Sequence, residues 1–575
     1  MLKVVIFFLL LTSLSVSAQT HYYVDQNTGN DSNDGLSLTT AWATIQQACD
    51  EATPNSIVEI KAGSYYENLD MNVSGTSGNP ITFTNYQDDI VIIDGTGTNS
   101  TKLLRITDRS WLHFENLEFQ NLIRNNAEGI IVETTVNGYS RNLSFKNLTI
   151  HDIKWTDVPD VVPSSGKNAR GFAVVGRGYG IEYLTVDGCK IYNNVTGKSE
   201  ALSLNGNVED FVIENCSVYD NTNIGIVLAG NYGISNDPAV DKARNGIVRN
   251  NTCYNNISLL ASSAGIYVDG GENIVIERNK SFQNGTGIGV GCEKNGATTY
   301  ITVKNNLIYN NHGRGLAVGG YTLLTSGQVL YSTFRNNTLY QNDTDLVGAS
   351  EINISKASNC VFEDNIIYTN AENVVMSVES KLPQANNLFN FNCIYTPSGN
   401  PDDINIYWRE LSFDTLEDFQ LEIGQDLNSI FADPQWMNSS PDFGLATVSP
   451  CLNTGNPMLI VSPGELDFAG NPRLSGQAVD IGAFEMNFSL GLSNFNVDAV
   501  KLYPNPLSGN ILNLNIELQD AAFSLYDLNG RRIINKQNLY GQQIDLDSNV
   551  IFPGIYFYTI VQHGKSVTSG KLAVK

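Results

Sequence analysis

One short phrase recurs ten times between residues 116 and 392, and few folds can accommodate it. A small polar residue is followed after two spacers by an aromatic or apolar residue. One spacer later comes another small polar residue, usually Asn. The first five copies are Asn116/Phe119/Asn121, Asn147/Ile150/Asp152, Cys189/Tyr192/Asn194, Cys216/Tyr219/Asn221 and Asn251/Tyr254/Asn256. The rest are Asn279/Phe282/Asn284, Asn306/Tyr309/Asn311, Asn337/Tyr340/Asn342, Asn365/Tyr368/Asn370 and a degenerate Asn392/Tyr395/Pro397. Copies begin 27 to 42 residues apart, the period of a solenoid. Between them lie runs such as Gly225-Ile-Val-Leu228, Gly265-Ile-Tyr-Val268, Gly287-Ile-Gly-Val290 and Gly315-Leu-Ala-Val318, which have the period-2 pattern of strands. Leucine-rich helical periodicity is nearly absent. Stacked in parallel, each Asn lies about 4.8 Å from the next, where its amide can bond the copies above and below. The expected fold is all-β, a right-handed parallel β-helix (a solenoid), with the hand taken from crossover chirality. The aromatic of each phrase is expected to stack inside.

Cys189 and Cys216 replace Asn in adjacent coils. They form either a disulfide or a pair of small apolar contacts. The eight cysteines show no Cys-x-x-Cys spacing, so a zinc site is not expected. Met1–Ala18 carries one Lys, an apolar run and small residues before Gln19, the pattern of a secretory signal peptide. No other stretch is apolar enough to span a membrane. The net charge of −25 excludes nucleic acid as a natural partner. It repels polyanions at long range unless local cations intervene.

The last stretch is punctuated differently. Leu502-Tyr-Pro-Asn-Pro506, Ser524-Leu-Tyr-Asp-Leu-Asn-Gly-Arg-Arg532, Gly554-Ile-Tyr-Phe-Tyr558 and Lys571-Leu-Ala-Val-Lys575 predict strands joined by tight turns, a small antiparallel β-sandwich. These segments resemble the C-terminal sorting domain of the type IX secretion system of Bacteroidetes, which implies passage across the outer membrane and contact with that machinery. Ahead of the repeats, Tyr22-Tyr-Val-Asp25, Gly29–Gly35 and Ala41-Trp-Ala-Thr-Ile45 resemble the N-terminal cap of pectate-lyase-like β-helix proteins. After the repeats, Ser449–Gly455, Asp467–Arg473 and Val479–Glu485 resemble a module that often follows bacterial surface β-helices. The expected division is 1–18 signal peptide, 19–100 cap and first coils, 101–400 β-helix repeats, 401–486 closing module and 495–575 sorting domain.

Aligning coils on the Gly-apolar-x-apolar strand puts Glu133, Val175, Asn205, Ala229, Asp269, Gly291, Gly319 and Ser355 in one column. Glu293 lies two positions beyond Gly291, one coil from Asp269. Two carboxylates about 5–10 Å apart suit a glycoside hydrolase, and like charges raise one pKa so that one group serves as the acid. Glu200 and Glu351, each opening a strand, are further catalytic candidates. Tyr232, Tyr267 and Tyr321 are candidate sugar platforms, and Arg244 and Lys294 candidate substrate contacts. The central block resembles the widespread pectate-lyase-like β-helix proteins, which implies a polysaccharide substrate. The stretch Ala169–Val175 resembles that of family 9 pectate lyases, but Arg170 and Val175 stand where those enzymes carry a metal-binding Asp and a basic Lys. The hydrolase reading needs no cofactor. Its rivals are a Ca²⁺-dependent uronate lyase, with Lys294 or Lys242 as base and Asp237, Asp241 and Asp269 as Ca²⁺ ligands, and a non-catalytic glycan-binding adhesin. A monomer is expected, and the five histidines suggest no metal centre or triad.

Overall fold

The computed structural model describes residues 18–261, 263–320, 325–379, 384–437, 443–486, 501–527, 531–546, 551–562 and 565–575. The expected signal peptide lies outside them except for Ala18, as does Tyr321. Two compact units are present, divided between Met486 and Asn487.

In the first unit every described strand pairing between successive coils is parallel. One coil runs through strands Ala264–Asp269, Glu272–Glu277 and Lys280–Phe282. Each pairs with its counterpart one coil on, as in Tyr267↔Gly289, Ile276↔Val303 and Phe282↔Tyr309. The corners are single residues in the left-handed region, which Asn and Asp tolerate best. Asn250, Asn305, Asn310 and Asn336 all take it. This explains the Asn-Asn pairs at 250–251, 305–306, 310–311 and 336–337: the first residue turns the chain and the second enters a ladder.

There are two ladders, one for each Asn of the phrase. In the first, the Asn251 backbone N–H and Nδ2 both donate to Asn279 Oδ1 at 2.9 and 3.0 Å. The pattern repeats through Asn306, Asn337, Asn365 and Asn392. The second runs through Asn194, Asn221, Asn256, Asn284, Asn311 and Asn342. From Tyr192 onward the aromatic between them lies on the outer face, whereas in the first two copies Phe119 and Ile150 point inside and are buried, as expected. In the strands between corners Ile191, Val218, Cys253 and Ile308 point inward and are buried, so strand alternation turns the next residue out. Tyr192, Tyr219, Tyr254, Phe282 and Tyr309 stack in a half-exposed column with centroids 4.8–5.1 Å apart. Cys189 and Cys216 are buried free thiols that pack at the head of the first ladder.

At the N-terminal end Trp42 stacks on Tyr22 at 4.7 Å, and the helix Ile45–Glu51 is capped by the Thr44 hydroxyl. Asp31 accepts the amides of Ala43 and Thr44, so it organises this turn. At the other end the antiparallel pair Asn405–Trp408 and Leu411–Phe413 and the helix Leu416–Ile423 cover the last coil with Trp408, Phe413 and Phe419. The remainder, to Met486, runs back along the ladder side instead of closing the end. Phe443 meets Tyr309 and Tyr340, and Glu465 pairs with Arg335 and Lys304. Arg473, fully buried, is matched by Glu485 at 2.8 Å and by the carbonyls of Asp480 and Gly482. A buried guanidinium requires this many acceptors.

In the second unit the described strands form one antiparallel sheet. Its long strand Ile511–Tyr526 pairs with Arg532–Asp545 along both halves and with Gly554–Gln562 along its second half. Register shifts between Asn513 and Phe523 let that strand bend around Leu512, Phe523, Leu525, Ile544 and Ile560.

Candidate active site

The strands that open each coil form a floor along the helix axis, and a cleft of about 930 Å³ lies over it. The pairings place Glu133, Val175, Asn205, Ala229, Asp269, Gly291 and Gly319 in one outward column, as the repeat alignment expects. Asp269, Glu293, Glu200, Tyr232 and Tyr267 all line this cleft.

Asp269 ends its strand and is only 2 % exposed. Its Oδ1 accepts the Glu293 N–H at 2.6 Å, and its Oδ2 accepts the hydroxyl of Tyr232. That hydroxyl also lies 3.4 Å from Glu293 Oε2, so one phenol bridges the two carboxylates. Tyr232 is placed by the loop after Gly230. There Asp241 accepts the amides of Gly233, Ile234 and Ser235 at 2.6–3.0 Å and fixes the turn. Lys294 Nζ lies 4.9 Å from the centre of the Tyr232 ring. Burial, and then the charge of Glu293, push the Asp269 carboxyl up to about 7 against the two hydrogen bonds it accepts. Burial also pushes Glu200 up to about 7; the Arg170 cation opposes this and Glu293 adds to it. Glu293, at the cleft mouth, is raised too, held back by Tyr232 and Lys294. Such a site holds protons near neutrality and can deliver them.

The Tyr267 ring lies across Gly289 and Gly291. A methyl group on Gly289 would stand 2.7 Å from its Cδ2, and one on Gly291 2.8 Å from its hydroxyl and 2.5 Å from the Gly319 carbonyl oxygen. Gly291→Ala is therefore expected to lower stability by about 1–3 kcal/mol, because a backbone oxygen cannot step aside. Denaturant unfolding of the purified variant measures this.

Other candidates are placed elsewhere. Glu351 is buried beneath the ladder side, its two oxygens accepting the backbone and side-chain N–H of Asn342. It ends the second asparagine ladder. Arg244 bonds Asn207 and Val240 and pairs with Glu209 at 2.8 Å; it braces the coil and does not line the cleft. Asp241 has both oxygens committed to loop amides, and Asp237 accepts the amide of Ala239. Among the described residues no three Asp, Glu, His or Cys side chains converge as a cation would require. Asp237 and Asp241 do not line the cleft that holds Asp269. Lys242 is paired with Glu272 at 3.0 Å. Sequence reasoning passed over three residues that line the cleft: Asn205 as a functional group, Arg314, and Arg170 as a neighbour of Glu200.

Comparison with known proteins bears on the two units separately. Residues 243–401 match the family model for a right-handed β-helix region, which sets the hand. Residues 501–575 match that of a secretion system C-terminal sorting domain, so the chain is exported by the type IX route to the cell surface or beyond. Among solved structures, pectate lyase Pel9A resembles the chain at a TM-score of 0.44 and 16% identity, covering 82% of this chain and 98% of that one. A GH136 lacto-N-biosidase from Eubacterium ramulus resembles it at a TM-score of 0.41 and 16% identity, covering 68% and 67%. The uncharacterized protein YwoF of Bacillus subtilis (strain 168) is 32% identical over 444 residues, 75% of this chain and 92% of that protein. At that identity and coverage the chain belongs to the YwoF family, as a right-handed parallel β-helix protein that carries a type IX sorting domain.

Proposed function

We propose that the chain is an exported glycoside hydrolase acting on an extended polysaccharide that lies across the coils, with Asp269 and Glu293 as its carboxylate pair. One observation carries the reading: a single tyrosine hydroxyl bridges a buried, proton-holding Asp269 and a Glu293 at the cleft mouth. Two oxygens within reach of one hydroxyl lie no more than about 6 Å apart, which leaves no room for an intervening water and favours direct attack by a carboxylate. Asp269, protonated near neutral pH, supplies the proton to the departing glycosidic oxygen, and the Tyr232 hydroxyl carries it across the last gap. Glu293 attacks the anomeric carbon; water then releases the sugar, returning its proton to Asp269. Because the pair interacts strongly, its protons are shared and its two steps belong to the dyad.

The test incubates the protein with a panel of neutral and uronate-containing polysaccharides. New reducing ends without the ultraviolet absorbance of an unsaturated uronate are expected, with or without Ca²⁺. Unsaturated ends would establish a lyase instead. Binding with no cleavage of any panel member would leave a glycan-binding adhesin.

A further inference from the structure

Among the described residues two polar atoms of the cleft lining, Arg314 Nε and Asn205 Oδ1, are buried without a hydrogen-bond partner, and they lie on opposite sides of Asp269 along the axis. Arg314 opens the strand Leu316–Gly319, two coils beyond Asp269 through the pairings Leu316↔Ile288 and Ile288↔Ile266. Its Nε is buried without a hydrogen-bond partner, and burial lowers its pKa. The acid whose charge acts on it, Asp343, also accepts the amides of Val347 and Ala349. The other arginine of this cleft edge differs: Arg170 is paired with Glu128 at 3.0 Å, which Lys102 also meets at 2.7 Å. Asn205 stands two coils before Asp269, through Ala229, and its Oδ1 is buried with no donor. Each lies roughly 10 Å along the axis from Asp269.

A guanidinium in a cleft wall that makes no ion pair among the described residues is open to a ligand's counter-charge, and its planar fork matches a carboxylate or sulfate. The chain as a whole carries a charge of −25, so a polyanion approaches only where a cation is built in. We propose that Arg314 binds an acidic substituent of the polysaccharide, a carboxylate or sulfate ester, on a sugar two coils away from the bond that is cut. Asn205 accepts a sugar hydroxyl on the opposite side and sets the direction of the polymer. This assignment rests on the reading of the cleft as a polysaccharide site. It differs from neutralising an acid on the reacting sugar, because Arg314 stands two coils from Asp269 and precedes its strand, whereas Asp269 ends its own.

The test measures binding by titration calorimetry, using the full chain with Asp269→Asn to prevent turnover. The probes are polygalacturonate and its carboxyl-reduced form, and κ-carrageenan and its desulfated form. At least one acidic member is expected to bind tenfold or more tightly than its neutral counterpart, with the advantage shrinking as salt rises. Which pair shows it identifies carboxylate or sulfate. Arg314→Gln brings the two members within about twofold, and Arg314→Lys, which keeps the charge but not the fork, falls between. Asn205→Ala weakens acidic and neutral members alike, about fivefold. Equal binding of acidic and neutral members by the unsubstituted Arg314 protein, or no binding of any acidic member, overturns the proposal without reference to any variant. Charge discrimination in a protein that cleaves nothing leaves the Arg314 site standing and removes the hydrolase.

Discussion

Asp269→Asn lowers kcat by about 10²–10⁴-fold and changes KM little. The substitution is nearly isosteric: its carbonyl oxygen still accepts the Glu293 amide, and its NH₂ group meets the Tyr232 oxygen, which can accept. Loss of activity therefore reports the missing proton. The wild-type rate falls as pH rises through about 7, because burial and the Glu293 charge hold the Asp269 proton up to that pH and the acid is spent above it. Wild-type stability falls with rising pH as well. A carboxyl whose pKa is higher folded than unfolded stabilises the fold only while protonated, so its contribution is lost between the unfolded value and about 7. The Asn variant avoids that loss and is expected to be more stable than wild type at pH 8 by roughly 1–4 kcal/mol. The two proteins converge near pH 4. Unfolding curves at both pH values, beside rates on whichever polysaccharide the panel selects, measure the pair of effects. Full activity in Asp269→Asn sinks the assignment.

Asp269 and Glu293 were legible because the repeat phrase carries its own register. Once coils are aligned, residues in one column must be near neighbours, and the parallel pairings place them so. Glu351 shows what a column alignment misses when inward and outward positions are not separated. The strands that open the coils begin Gly225, Gly265, Gly287 and Gly315, and in the next coil that place holds Glu351. Those glycines face the second ladder: a methyl group there would stand 2.7–3.0 Å from the amide nitrogens of Asn256, Asn284, Asn311 and Asn342. A Glu in the same place must put its carboxylate into the ladder. The signal was present, as a Gly-to-Glu change at a position that Gly holds in the four coils before it. Glu200, one residue earlier in its own strand, faces the cleft. Arg314 was not legible, because nothing in a sequence says whether a surface arginine has found its carboxylate. The outward turn of the aromatics followed from strand alternation, but only once Cys253 and its counterparts were known to point in.

The largest effect on stability is expected in the second asparagine ladder, at Asn284. Its Oδ1 accepts both the backbone N–H and Nδ2 of Asn256, and its Nδ2 donates to the Cys253 carbonyl, the Ser281 hydroxyl and Asn311 Oδ1. All of this is buried away from water. Asn284→Ala removes both ends of the amide and leaves two donors and a carbonyl unmatched, at about 1–3 kcal/mol for each group. The expected loss is about 3–5 kcal/mol at every pH. Asn284→Asp separates the two halves of the argument. It keeps the oxygen that Asn256 requires but turns an acceptor toward the Cys253 carbonyl and Asn311 Oδ1. Only a protonated acid can donate there, so its folded pKa is raised and its stability is lost as pH rises above the usual aspartate range. Near pH 4 the Asp variant is expected to unfold closer to wild type than the Ala variant does; at pH 8 it is the least stable of the three, because a charge is then buried opposite two oxygens. Urea unfolding of the β-helix unit at the two pH values decides it. If both variants lose the same small amount at both pH values, the asparagine column is ordinary packing and its paired amides contribute nothing specific.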